Sequence, residues 1–159
     1  MSNDVAVIKQ TMASYCHCVD RGTADEVAVL FAKDAILNPV FDGGYEVYGR
    51  DAIRGWYAFY HQILRASVNH LKHLIHSILI DVDGEAASSV CYLTAYFVSK
   101  EDNAAYQVLG TYHDTFVKQD GQWLFQTRRI EVEFMTRLGD VIDRMKPMGF
   151  PGTKDENAA

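Results

Sequence analysis

The sequence predicts an α+β fold: three N-terminal helices packed on one face of a curved, mixed or antiparallel sheet, the whole forming a cone around an apolar pocket. Three observations point there. Up to about residue 66 apolar residues recur every three or four positions, and beyond it the period is two. Four long β-rich segments then follow one another, separated by the turn-forming stretches Asp83-Gly84, Glu101-Asp102-Asn103 and Asp120-Gly121. Finally, a curved sheet covered by helices can leave a cavity, and 9 Tyr, 8 Phe and 2 Trp are enough to line one as well as fill a core.

In chain order, Val5, Ile8, Met12, Tyr15, Cys16 and Val19 form a helical stripe over residues 3–19, and Gly22 suits a left-handed helix end. Thr23-Ala24-Asp25-Glu26 has the pattern of a capping box, opening a short second helix that carries Val27, Leu30 and Phe31. The two helices meet near Asp20. A short strand is expected over 34–39, a turn at Asp42-Gly43-Gly44 and a second short strand over 45–48. Asp51 can cap a third helix running to about Ala66, whose broad apolar face holds Ile53, Trp56, Tyr57, Tyr60, Ile63 and Leu64. Strands follow at 68–82, 86–99, 105–118 and 122–135. The α+β unit therefore occupies residues 1–137. The remainder, 138–159, reads as weakly helical at 138–145 and then irregular, with Met148 and Phe150 able to cap a pocket mouth.

At 159 residues the chain fits one domain, and a domain of this size buries roughly 70% of its unfolded surface without needing a disulfide or metal. A net charge of −6 argues against nucleic acid or an anionic membrane as partner. No basic and apolar leader pattern and no apolar span of about 20 residues is present, so a soluble, cytoplasmic protein is expected. Cys16, Cys18 and Cys91 lack metal-ligand spacing and read as reduced thiols.

The residues that could carry chemistry stand out against apolar surroundings. The segment from Val68 to Gly84 is mostly apolar yet holds His70, His73 and His76. In a regular strand His73 points away from the other two, which converge poorly on a metal; no metal is expected. His73 reads either as a satisfied core group or as a base held out of water. Asp20 is either a helix-end carboxylate or the group that orients a histidine ring and stabilises its protonated form. Tyr15 is a core aromatic or a pocket donor. Tyr112 and Asp114 share a strand face with Val108, Gly110 and Phe116, as pocket-lining groups or as members of cross-strand pairs, while His113 faces the other way. Arg128 shares a face with Leu124, Ile130, Val132 and Phe134, opposite Arg129, Glu131 and Glu133. A guanidinium there needs a carboxylate (Asp114 or Asp20) or an anionic substrate group to offset its desolvation.

With Tyr15, Asp20, His73, Asp83-Gly84, Gly110-Thr111-Tyr112-His113-Asp114 and Asp120-Gly121-Gln122-Trp123 placed, residues 3–135 resemble the SnoaL-like group of the nuclear-transport-factor-2-like superfamily. Within it the chain looks most similar to scytalone dehydratase, bile-acid 7α-dehydratase and lindane dehydrochlorinase. The resemblance implies a cone fold and a catalytic set of His73 as base, Asp20 as its orienter, Tyr15 as hydrogen-bond donor and Arg128 as charge stabiliser. Tyr112, Asp114, Tyr96, Trp56 and Tyr48 make up the expected substrate-binding set. Phe97, Tyr96 and Val132 stand where relatives have a second histidine, a second aspartate and a strand-end arginine. The implied function is cofactor-free elimination from an apolar ring-containing molecule, losing water, halide or an aldehyde. An isomerase or cyclase using the same base is the alternative, and an accessory subunit of a ring-hydroxylating dioxygenase is a third class. A homo-oligomer, dimer or trimer, is implied as well.

Overall fold

The computed structural model describes residues 3–141 and Gly149. Helix α1 (Asp4–Arg21) buries Ile8, Met12, Tyr15, Cys16 and Val19, the stripe its spacing predicts; Val5, at its start, is exposed. Gly22 ends the helix in extended backbone, φ −88°, not left-handed. Crowding accounts for the glycine: a Cβ there would stand 2.8 Å from both the Cys18 Cα and the Glu26 carboxylate. Thr23 and Glu26 form the expected reciprocal capping box at the start of α2 (Ala24–Ala28).

The chain leaves α2 earlier than its apolar spacing suggests. Phe31 opens strand β1 (Phe31–Pro39), fully buried, instead of ending the helix. After a 3₁₀ turn (Val40–Asp42), β2 is reduced to Val47–Tyr48. Helix α3 (Arg50–Ile63) is capped by Gly49, whose φ of 86° sets its entry; Asp51 lies in the first turn and is not the cap. It ends at Ile63, and a 3₁₀ turn (Arg65–Ser67) leads into the long strands.

Strands β3 (Val68–Asp83), β4 (Ala86–Ser99), β5 (Ala104–Gln119) and β6 (Gln122–Asp140) form an antiparallel meander. The six-stranded order is β2-β1-β6-β5-β4-β3, with β1 parallel to β6, so the sheet is mixed. At the β5–β6 hairpin Asp120 and Gly121 both take positive φ (49° and 76°), the pattern of a type I′ turn. At the β3–β4 hairpin Asp83 is still in the strand, and Gly84 alone takes it (61°). Strand β6 runs on to Asp140, paired with Ala104, where a helix from residue 138 was expected. Residues 142–148 and 150–159, with the expected lid residues Met148 and Phe150, lie outside the described residues.

The strands bend because they are bulged. Register shifts fall between Asn69 and Lys72 and between His76 and Leu79, where His70 and Ser77 take φ of 57° and 52°. Further shifts interrupt the β5–β6 pairing at Leu109/Gly110 and Thr115/Phe116. Each extra residue kinks its strand and increases the local twist, wrapping the sheet around the helices. Between them sits an aromatic core in which Phe125 packs on Phe31 and Phe116 at ring distances of 5.1 and 4.8 Å.

Candidate active site

The helices and the inner sheet face leave an apolar chamber of about 470 Å³, a volume in the roughly 300–1,000 Å³ range of small-molecule sites. α1 contributes Tyr15 and Val19, and α3 contributes Trp56, Tyr57 and Tyr60. From the strands come Leu71, His73, Leu93, Ala95, Phe97, Val108, Tyr112, Ile130, Val132 and Met135. Leu64, Arg65 and Ser67, from the connection into β3, complete one side together with Ser99.

His73 and Asp20 meet at the chamber wall. The His73 Nδ1 lies 2.6 Å from the Asp20 Oδ1, and the His73 backbone N–H donates to Oδ2 at 3.1 Å. Both carboxylate oxygens thus serve one residue 53 positions away. Their side chains are only 10% and 8% exposed, so the contact lies largely out of water. With Nδ1–H donating to the carboxylate, Nε2 is left as the basic nitrogen. Of the other histidines on β3, His70 sits exposed at the first bulge, and His76 lies on the outer face, bonded to the Thr94 hydroxyl at 2.9 Å. The three do not converge. A smaller cavity of about 250 Å³ lies against the pair and is lined by Cys16, His17, Asp20, Arg21, Lys72, His73 and Leu74.

Tyr15 is buried in the chamber wall, its hydroxyl 2.5 Å from that of Tyr57. Burial pushes both phenols above the ordinary value, with the Arg128 charge working against it, so both remain protonated at neutral pH, one donating to the other, which keeps its own proton for a ligand. Arg128 itself does not line the chamber. Its guanidinium lies 3.9, 4.2 and 4.2 Å from the ring centres of Tyr15, Tyr112 and Phe125, and donates two 2.8 Å hydrogen bonds to Asp114. Burial opposes its charge, but the Asp114 carboxylate facing it holds the guanidinium protonated. Asp114 is thus a carboxylate that offsets the desolvation of Arg128.

The expected substrate-binding residues divide. Tyr112 and Trp56 line the chamber, and the Trp56 ring stacks on Tyr60 and donates to the Tyr45 hydroxyl at 2.8 Å. Asp114 is buried behind the wall in its ion pair with Arg128. Tyr96 is on the outer sheet face, bonded to Gln107, because odd-numbered residues of β4 from Ala87 to Phe97 point inward. Tyr48 is 64% exposed, its hydroxyl held by Glu46. On β6 the simple alternation fails at the bulges: Phe125 packs against Arg128, and Met135 instead of Phe134 lines the chamber, although both are exposed. Tyr57, Tyr60 and Arg65 were not among the expected site residues. Tyrosine hydroxyls within the apolar face of α3 are the signal for the first two.

No curated protein matches the chain. Solved structures do. A candidate scytalone dehydratase from Novosphingobium aromaticivorans is 24% identical, with 90% of this chain and 95% of that one covered at a TM-score of 0.70. A hexachlorocyclohexane dehydrochlorinase, LinA type 2, is 16% identical over 91% of this chain and 95% of that one, at 0.74. A variant of Rv3472, a protein of unknown function from Mycobacterium tuberculosis, is 24% identical over 82% and 72%, at 0.71. At these identities the likeness is one of fold. A protein-family model described as a SnoaL-like domain matches residues 1–129. Most of the chain is covered by that match, and the protein belongs to the SnoaL-like domain family.

Proposed function

We propose that the protein is a cofactor-independent lyase that removes a proton from a hydrophobic, ring-containing small molecule and eliminates water or a comparable leaving group. The observation that carries this reading is the 2.6 Å contact between Asp20 and His73 at the wall of an apolar chamber. A neutral imidazole with its Nδ1–H on a carboxylate is a base whose protonated form is stabilised the moment it forms. The proton bound to substrate carbon goes to Nε2. The electron pair of that C–H bond becomes a carbon–carbon double bond as the carbon–oxygen bond breaks, and the proton taken up by His73 is returned to the departing oxygen, which leaves as water. Tyr15 and Tyr57 present a hydrogen-bonded pair of phenols where negative charge develops on oxygen. In an apolar wall such donors act more strongly than in water. Arg128 acts from behind, its charge facing the Tyr15 and Tyr112 rings and its position set by Asp114. A homo-oligomer, dimer or trimer, belongs to the same reading.

The test is turnover of a panel of bicyclic β-hydroxy ketones and benzylic alcohols, with products read by mass. The wild type is expected to give a product lighter by water or by an aldehyde. His73→Asn and Asp20→Asn, with unchanged circular dichroism, should each lower turnover by about 100-fold or more. Wild-type rates in both variants would overturn the assignment. A product of unchanged mass, lost in the same two variants, would instead establish isomerisation.

A further inference from the structure

We propose that Arg65 selects the substrate, and that the molecule entering the chamber carries an anionic group, in the simplest case a carboxylate, on its apolar ring skeleton. The inference rests on the reading of the chamber as the substrate site and adds the chemical class of what it takes.

Arg65 sits in the 3₁₀ turn between α3 and β3 and is the one cation lining the chamber among the described residues. Elsewhere Arg54, Lys118, Arg128, Arg129 and Arg137 each face a carboxylate, and the cations that, like Arg65, form no ion pair among the described residues, Arg21 and Arg50 included, do not line the chamber. Arg65 has none within ion-pair distance among the described residues. Asp20 is the acid whose charge reaches Tyr60 along with that of Arg65, and both of its oxygens are committed to His73.

The guanidinium is held without being neutralised. Its Nη1 donates to the backbone carbonyls of Val19 at 3.2 Å and Gly22 at 2.7 Å, at the end of α1. These contacts fix a long side chain in place before any ligand arrives, which removes part of the entropic cost of binding. The N–H groups on Nε and Nη2 have no partner among the described residues. They are also not among the fully buried unpartnered atoms, which belong to Asn38, His61 and Arg128. They are therefore open to the chamber or to solvent, in the planar arrangement that suits a carboxylate. The charge is felt locally: burial first, and then Arg65, drive the neighbouring His61 down to about 4. An unpaired cation beside apolar walls is poorly solvated, and an incoming anion offsets that cost where a neutral molecule cannot.

Two probes of the same shape separate charge from fit: 2-naphthoate and 2-naphthamide, titrated calorimetrically into the wild type, Arg65→Gln and His73→Asn. The wild type is expected to bind naphthoate about tenfold tighter than naphthamide, with the preference shrinking as salt is raised. Arg65→Gln should bring the two probes together by weakening naphthoate alone, and His73→Asn should keep the preference. Equal binding of both probes by the wild type would overturn the role of Arg65 while leaving the chamber as an apolar ring site. A preference that survives in Arg65→Gln, or vanishes in His73→Asn, would place the anion elsewhere and overturn it too. Binding of neither probe would overturn the chamber reading along with it. Should Arg65→Gln lose its fold with the Val19 and Gly22 contacts, Arg65→Lys is the replacement. It keeps the charge and is expected to retain the naphthoate preference, and its loss in folded Arg65→Lys would count against the proposal.

Discussion

Asp114 and Arg128 face each other across β5 and β6 with both side chains fully out of solvent. Neither charge is tolerable there alone: removing one partner of such a pair strands the other in a low-dielectric interior. Asp114→Ala is therefore expected to destabilise the protein by about 3–5 kcal/mol, read from urea denaturation. Replacing both, as Asp114→Leu with Arg128→Met, should recover most of that loss, because no charge is then left buried. An Asp114→Ala variant as stable as the wild type would show that the cation–π stack alone holds Arg128. The need for an anion beside Arg128 is legible in its sequence surroundings. That the anion is Asp114 and not the substrate depends on strand register, which places the two residues opposite each other. Asp20 and His73 are alike in this respect. Each residue type suits its place in the sequence, but only folding closes the 53-residue gap between them.

At the scale of elements, bulges decide which side chains face the chamber. Gly110 lies at one of them, where the β5–β6 register shifts, and a Cβ at that position would come within 2.2 Å of the Glu131 carbonyl oxygen. Backbone cannot give way as a side-chain tip can. Gly110→Ala is expected to cost about 3 kcal/mol or more, measured by thermal or denaturant unfolding, since the strands must part to admit one methyl. A neutral effect would mean that the bulge relaxes freely. The same bulges explain where strand periodicity misleads. Alternation runs true from Lys72 to His76 and correctly turns His73 inward. It breaks between Phe125 and Arg128 and again near Phe134, because an inserted residue resets the parity of everything beyond it. The long strands and most of their ends can be read from composition and turns. Bulges are set by packing between strands and carry little signal of their own.

For the whole molecule, acid is the condition to which the fold should be sensitive. His61, in the last turn of α3, has its pKa lowered to about 4 by burial and by the Arg65 charge, against about 6.5 for an ordinary histidine. The folded state thus holds it neutral while the unfolded chain protonates it. Its contribution is complete above about pH 6.5 and is lost as pH falls towards 4. The wild-type Tm should decline across that window, and His61→Gln should decline less steeply. Parallel curves would show that His61 carries no such linkage. The amino-acid sequence carries the α+β class, the helical stripes, the capping box and the long hairpin strands. These follow from local periodicity and turn chemistry, which need no distant partner. It also marked Asp20, His73, Tyr15 and Arg128 as polar groups in apolar company. Long-range packing, by contrast, sets the pairing of Tyr57 with Tyr15 and of Asp114 with Arg128, leaves Tyr48 and Tyr96 outside, and brings Arg65 to the chamber with no ion-pair partner among the described residues. Each of these depends on register, bulges and helix placement, which arise from long-range packing and not from neighbours in the chain.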